Sequence, residues 1–175
     1  MAGNMVIPEV LNHYNVYYED AKLIGISGEI ELGDLEAITD TIEGVGVIGE
    51  IEDPVTGQFS SLKIKIPFSV LYEDLFNLMS TTKPPLLTLR ASMQCMDPST
   101  GETGYYPVKI VVRGKASKTG LGKVTKGKKG EPELEIEVLF ISISINEKET
   151  LKLDKLNFIY ELNGVDMMAE IRNQV

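Results

Sequence analysis

Apolar and polar residues alternate with a period of two through most of the chain, the pattern of strands with one face buried. Tyr14, Val16 and Tyr18 alternate before an Asp20-Ala21 turn; Ile26, Ile30 and Leu32 then share one face, with Glu29 and Glu31 on the other. Residues 47–52 and 59–68 bracket Asp53-Pro54-Val55-Thr56-Gly57, whose turn-forming residues predict a hairpin there. In its second arm Ile64, Ile66 and Phe68 point inward and Lys63 and Lys65 outward. Leu87, Leu89, Ala91, Met93 and Cys95 make the next face, and Asp97-Pro98-Ser99-Thr100-Gly101 turns the chain into Tyr106, Val108, Ile110 and Val112. A Gly/Lys-rich loop is predicted over 114–130. Leu134, Ile136 and Val138 follow, after which the apolar phase shifts to Ile141, Ile143 and Ile145; such a shift predicts a bulge or a stretch buried on both faces. Residues 146–149 turn into a last strand carrying Leu151 and Leu153, then Phe158, Tyr160 and Leu162.

One internal segment has helical spacing. Leu71, Leu75, Leu78 and Met79 fall at i, i+4, i+7 and i+8, with Ser69 as N-cap and Pro84-Pro85 ending the helix. A short helical turn is expected after Asn163-Gly164. Many strands at hairpin spacing with so little helix predict a mainly β chain, a β-sandwich or barrel subunit with extended hairpins and one short α-helix. Residues 1–175 read as a single domain, with no linker or solenoid-length repeat.

Composition narrows the function. At 175 residues, with 43% hydrophobic and 25% charged, the chain can build a real core; a chain of this size hides roughly 70% of its unfolded surface. No apolar run reaches the ~18 residues of a membrane span, and the start, Met-Ala-Gly-Asn-Met, lacks a charged-then-apolar leader, so neither membrane insertion of the subunit nor secretion through a cleaved peptide is expected. Cys95 and His13 are the single cysteine and histidine, which leaves no intramolecular disulfide, no thiolate metal cage and none of the commonest zinc or di-iron sites.

The net charge of −9 argues against a nucleic-acid-coating protein, but its distribution says more. Eight of the 17 basic residues lie within 109–129, and no acid occurs across 103–130, so the remainder of the chain carries −17. Residues 1–62 hold twelve acids and one base, Lys22. One reading is a solvated lysine-rich loop on an acidic protein. The other is self-association, the basic loop of one copy meeting an acidic surface of the next; such a head-to-tail contact yields rings or filaments.

Motifs for chemistry are weak. Gly44-Val45-Gly46-Val47-Ile48-Gly49 matches the dinucleotide fingerprint G-x-G-x-x-G, but a strand and turn follow it where a helix should, and the acids after it would repel phosphate; a hinge leading into a hairpin is the better account. Gly122-Lys123-Val124-Thr125-Lys126-Gly127-Lys128-Lys129 misses a P-loop at its last position, where Lys129 replaces the hydroxyl that ligates magnesium. Gly25-Ile26-Ser27-Gly28 is not a nucleophile elbow, and His13 reads as a strand-start residue. Cys95, in phase with Leu89, Ala91 and Met93, reads as a small buried hydrophobe. Glu29/Glu31 and Glu133/Glu135/Glu137 have the i, i+2 spacing of a solvated strand face, with no aromatic cleft to make a glycosidase. Asp97-Pro98-Ser99-Thr100-Gly101 lacks the acid density of a calcium loop. No catalytic, cofactor or metal site is expected.

Several segments, in order, resemble the major tail tube proteins of contractile-tailed bacteriophages, a family that also supplies the tubes of phage-tail-like bacteriocins. They are residues 8–17 (PEVLNHYNVY), the glycine-rich 44–50, Thr100-Gly101-Glu102-Thr103 through Val112-Arg113-Gly114-Lys115, and residues 151–166 (LKLDKLNFIYELNGVD). The chain departs at Leu32-Gly33-Asp34-Leu35, where the family has Leu-Pro-basic-Leu. The resemblance implies a non-enzymatic β-sandwich subunit with a flanking helix, assembled as stacked hexameric rings inside a contractile sheath. Such a tube conducts DNA without binding it specifically, or leaks ions in bacteriocins. Its partners would be further copies of itself, the sheath, and tape-measure and baseplate or hub proteins; it would be assembled in the bacterial host cytoplasm and end in a virion tail or extracellular particle.

Within that frame Lys115, Lys118, Lys123, Lys126, Lys128 and Lys129 are candidate inter-ring contacts, and Glu133, Glu135 and Glu137 candidate wet or lumen-facing acids. An acidic bore would repel DNA phosphates, whereas a basic one would hold them through counterion release. Two other classes compete: a β-rich binding module whose lysine loop takes an acidic partner, and a small hydrolase using scattered carboxylates.

Overall fold

The computed structural model describes residues 6–175; the five residues read above for a leader lie outside them. The elements are β1 (Ile7–Tyr18), β2 (Ala21–Lys22), β3 (Ala37–Ile42), β4 (Ile51–Phe59), β5 (Lys63–Pro67), α1 (Glu73–Asn77), β6 (Leu86–Met96), β7 (Thr103–Gly120), β8 (Glu133–Ile145), β9 (Lys148–Asp154), β10 (Ile159–Leu162), β11 (Val165–Asp166) and α2 (Ala169–Arg172). Nine strands form an antiparallel sheet ordered β11-β10-β9-β8-β7-β6-β1-β2, with β5 paired to β8 off this path. β3 and β4 form a separate two-stranded hairpin. The chain is mainly β and sandwich-like, as its alternation predicts.

The phase shift in the sequence is a bulge. Arg113 opposes Phe140 and Gly114 opposes Val138, so Leu139 is the extra residue on β8. Before it, β8 pairs with β5 (Lys63↔Glu137, Ile66↔Leu134); beyond it, the same edge pairs with β9 (Ile141↔Leu153). A bulge bends its strand and increases the local twist, so the two halves of β7–β8 serve two parts of the sheet. Their apolar faces share one core: Ile64, Ile66, Phe68, Leu134, Ile136 and Val138 from one side, Val16, Leu87, Leu89, Val112, Ile141 and Leu153 from the other. Leu75 of α1 and Leu78 at its C-terminal cap, both fully buried, close that core. Cys95 is buried beside Gly104, in line with its reading as a small hydrophobe.

Residues 25–32 make two isolated bridges beside β5, Ile26↔Phe68 and Glu31↔Lys65, so the strand expected there is reduced to bridges. The Tyr14 hydroxyl donates to the Gly28 carbonyl at 2.7 Å and ties this segment to β1. Gly33 of Leu32-Gly33-Asp34-Leu35 sits at a backbone that demands glycine. Gly33 has φ +73°, and a Cβ there would lie 2.2 Å from the Lys63 carbonyl oxygen. Proline, fixed near φ −65°, cannot adopt that backbone.

Other expectations are corrected. Asp53-Pro54-Val55-Thr56-Gly57 is not a turn: it lies inside β4, where Pro54 opposes Thr39. Both strands of a two-stranded ribbon are edges, so a proline without an N–H is tolerated. The reversal falls instead in the glycine-rich 43–50, which is the hairpin tip and not a hinge leading into it; Gly44, Gly46 and Gly49 all have positive φ. The lysine-rich loop begins later than expected, because β7 runs to Gly120. α1 is shorter than its periodicity suggests and is not capped by Ser69; Tyr72 precedes it without a side-chain cap, and Leu71 is exposed. The Ser69 backbone is engaged elsewhere, its N–H donating to Gly25 O (2.7 Å) and its carbonyl accepting from Gly130 N (3.1 Å). His13 lies within β1, not at its start, and exposed Phe158 belongs to the turn that splits the last expected strand into β9 and β10. The helical turn expected after Asn163-Gly164 is α2.

Gly114 is the residue on which the bulge depends, since a Cβ there would lie 2.3 Å from the Glu137 carbonyl oxygen and 2.5 Å from Ile136 Cγ2. Gly114→Ala is expected to destabilise the fold by about 1–3 kcal/mol through overpacking. Gly120→Ala, whose nearest neighbour would be 3.7 Å away, should cost clearly less. Urea denaturation of both variants checks this, and equal midpoints would contradict it.

Candidate assembly surface

The first half of β8 turns Leu134, Ile136 and Val138 into the core, so Glu133, Glu135 and Glu137 share the opposite face. Glu133 is exposed and the other two are partly covered by their neighbours. Cations flank this row. Lys63 and Lys65 on β5 oppose Glu137 and Glu135, and Lys115 and Lys118 on β7 oppose the same two residues from the other side. Lys63 Nζ reaches Glu135 Oε1 at 2.9 Å, and Ser117 Oγ donates to the same oxygen at 3.1 Å. Glu137 accepts from Ser61 Oγ and has Lys155 Nζ at 3.9 Å. The Lys63 hydrogen bond foremost, with help from Ser117, holds the Glu135 carboxyl below the usual range despite some desolvation. These acids therefore lie in a polar seam at the surface, outside the apolar core.

Of the six lysines singled out from the sequence, only Lys123, Lys126, Lys128 and Lys129 lie in the loop; Lys115 and Lys118 are strand residues beside the glutamate row. The loop's base is fastened. Lys123 N–H donates to Gly130 O at 2.7 Å, and Phe68 N–H to Pro132 O at 2.8 Å. All four loop lysines stand in solvent.

Ion pairing is spread unevenly over the basic residues. Lys63, Lys65, Lys83, Lys152, Lys155 and Arg172 each have a carboxylate within 4.0 Å. Among the described residues, none of the eight bases in 109–129 has one. The acidic counterpart is the β3–β4 hairpin, where Asp40, Glu43, Glu50, Glu52 and Asp53 are exposed and likewise without an ion pair.

The hairpin also carries exposed Ile38, Ile42, Val45, Ile48 and Ile51, a surface the sequence reading did not single out. The available signal was its run of apolar residues among acids and glycines, which cannot by itself tell a covered strand from an uncovered one. Its root is held by Phe59 against Tyr160 (edge-to-face, centroids 5.0 Å apart) and by Ser60 N–H donating to Glu36 O at 2.8 Å. Exposed aliphatics clustered on one projecting element mark a surface meant to be covered.

Among the described residues no three His, Cys, Asp or Glu side chains gather as a metal site, and no helix is long and apolar enough to cross a membrane.

The family model for phage tail tube protein FII matches residues 8–175, nearly all of the described chain. The chain belongs to this family of phage tail tube proteins. The tail tube protein of Escherichia phage P2 is 23% identical over 176 residues, spanning 98% of this chain and 99% of that protein. Among solved structures, the sheath/tube terminator of an extracellular contractile injection system, PVC, in its extended state shares the fold. It has a TM-score of 0.54 and 14% identity over 78% of this chain and 96% of the terminator. The family is one of structural proteins, and the seam, loop and hairpin are to be understood as surfaces of a tail tube protein.

Because the folded carboxyl of Glu135 titrates below its unfolded value, its contribution to stability is present at neutral pH and is lost as pH falls through the folded value. Asp97, held down mainly by hydrogen bonds from Ser99, and Asp166, held down by Arg172 and the Met168 N–H, act in the same direction. The thermal midpoint should thus hold near neutrality and decline below about pH 4. Glu135→Gln should lower the midpoint at pH 7 and make that acid decline shallower; differential scanning calorimetry between pH 7 and pH 2.5 checks both.

Proposed function

We propose that this chain is the repeating subunit of a hollow tail tube, closing into hexameric rings that stack within a contractile sheath. The observation that carries this is the division of charge. Among the described residues the eight bases of 109–129 have no carboxylate within 4.0 Å, while the acids of the exposed β3–β4 hairpin have no cation within that distance. A monomer leaves both unsatisfied; a polar, head-to-tail stack supplies each with the other. Family membership supports the same assembly, as does the sheath/tube terminator that shares the fold. Residues 1–175 act here as one unit.

In this reading Lys123, Lys126, Lys128 and Lys129 meet an acidic surface of the adjoining ring. Lys115 and Lys118 extend the contact along β7 while sharing Glu137 and Glu135. Glu133, Glu135 and Glu137 belong to a wet face of the tube, bore or exterior. An acidic bore lets DNA slide, since phosphates meet like charge and release no counterions. The tube's length and ends are set by partner proteins, a tape measure and a baseplate or hub. The particle is assembled in the host cytoplasm and works as a virion tail or an extracellular phage-tail-like particle.

Negative-stain microscopy and light scattering of the purified protein test the reading, with hollow tubes of uniform width as the expected result. A species that stays monomeric at every salt and protein concentration would overturn it. Replacing Lys123, Lys126, Lys128 and Lys129 together by glutamine should leave the fold intact, shorten the polymers and flatten their salt dependence. Polymers with unchanged salt sensitivity would remove the loop as an electrostatic clamp.

A further inference from the structure

The sheet face turned away from the core holds a cavity of about 540 Å³. Its floor comes from alternation: Tyr17, Thr88, Arg90 and Arg113 occupy the phases opposite buried Val16, Leu87, Leu89 and Val112. Two guanidinium groups are presented there in a defined way. Arg90 Cζ lies 5.3 Å from the centre of the Tyr17 ring, and Arg113 Cζ lies 6.0 Å from the centre of the Phe140 ring. An aromatic face orients an arginine while leaving its N–H fork free. Neither arginine has a carboxylate within 4.0 Å among the described residues. Lys83, on the same rim, is occupied by Glu19 at 3.6 Å.

Two free, aromatic-backed forks beside the apolar walls of Pro84 and Leu86 suit a ligand with two carboxylates and a little apolar surface. Glu19, which shares the rim with Asp20, is paired to Lys83, and two guanidinium groups balance two carboxylates better than the larger charge of a polyphosphate. The chain itself carries the matching group. At the hairpin tip Glu43 and Glu50 flank Val45 and Ile48, and both aliphatic side chains stand wholly in water. Nothing lies within 4 Å of where a Cβ would stand on Gly44, Gly46 or Gly49, so the tip is slim. β4 is exposed along most of its length, and its partner β3 runs five residue steps from root to tip, roughly 17 Å at strand rise, so the tip stands well away from the root.

We infer that the Arg90/Arg113 cavity is the receptor for the hairpin tip of a second copy, with Glu43 and Glu50 pairing to the two guanidinium groups and Val45 and Ile48 covering Pro84 and Leu86. The inference rests on the self-assembly reading and deepens it, giving Glu43 and Glu50 of the acidic hairpin a receptor in Arg90 and in Arg113, one of the eight bases of 109–129 that lack an ion pair among the described residues.

Two experiments test it. In a Cys95→Ser background, Val45→Cys together with Thr88→Cys should give disulfide-linked ladders under mild oxidation, while either cysteine alone gives none. Separately, Arg90→Glu with Arg113→Glu should raise the protein concentration needed for half-assembly at least tenfold, in the range that unpairing buried interfacial charges produces. Adding Glu43→Arg and Glu50→Arg to that variant should restore assembly, which also shows that the reversed cavity still folds. If the wild type forms no polymer, the tube reading falls and this contact falls with it. If polymers form but show no ladder, or tolerate the arginine reversal, only the cavity assignment is overturned. Binding of labelled duplex DNA that is lost with Arg90→Glu/Arg113→Glu would instead assign the cavity to phosphate and overturn the hairpin as its occupant.

Discussion

The close approach of Gly114 to the backbone of β8 at the Leu139 bulge is the constraint on which the rest of the subunit depends. One extra residue moves the apolar phase from Leu134, Ile136 and Val138 to Ile141 and Ile143 while both runs still face a shared core. The bend it produces lets one long strand pair with β5 over its first half and with β9 over its second. Without it, a regular strand of this sequence would turn one of its apolar runs to solvent. Gly114 belongs to one of the stretches that carry the family resemblance, and the bulge supplies a physical reason for a glycine there.

The same bend shapes the surface. It leaves the glutamates of β8 in a row between two lysine-bearing strands, so the protein satisfies part of its charge internally, through Lys63 and Lys155. What remains after that pairing is lopsided. Among the described residues the bases of 109–129 and the acids of the hairpin are both left without ion pairs, and the aliphatics of the hairpin are exposed. A subunit built for repetition can tolerate such leftovers, because each copy presents the complement of what its neighbour lacks.

Legibility from the sequence followed the range of the forces involved. The strands of the core were readable because Ile64, Ile66, Leu87, Leu89, Leu134 and Ile136 alternate strictly with polar residues, and one-sided burial demands that alternation. The bulge was readable because it breaks the phase. The hairpin was misread because Asp53-Pro54-Val55-Thr56-Gly57 has turn composition yet sits in an edge strand, where missing ladder bonds cost little. Ser69 looked like a cap, but its backbone is tied to Gly25 and Gly130, residues distant in sequence. Lys115 and Lys118 looked like loop because Gly114 reads as a breaker, although at that site it is a packing requirement.

The class of the fold, the split of charge between residues 109–129 and the remainder, and the ordered segments that mark the family could all be read from the linear chain, because periodicity, charge and residue identity are properties it has before folding. Only the tertiary structure decided which charges are already paired. Glu135 meets Lys63 because two strands share a register, whereas among the described residues Lys123, Lys126, Lys128 and Lys129 have no carboxylate within 4.0 Å, because their loop is fastened at its base and stands in solvent. It alone also brought Arg90 onto Tyr17 and Arg113 onto Phe140 at one cavity, since those pairs arise from strand order. Pairing depends on distances of a few ångströms between residues far apart in sequence, and the chain acquires those distances only on folding.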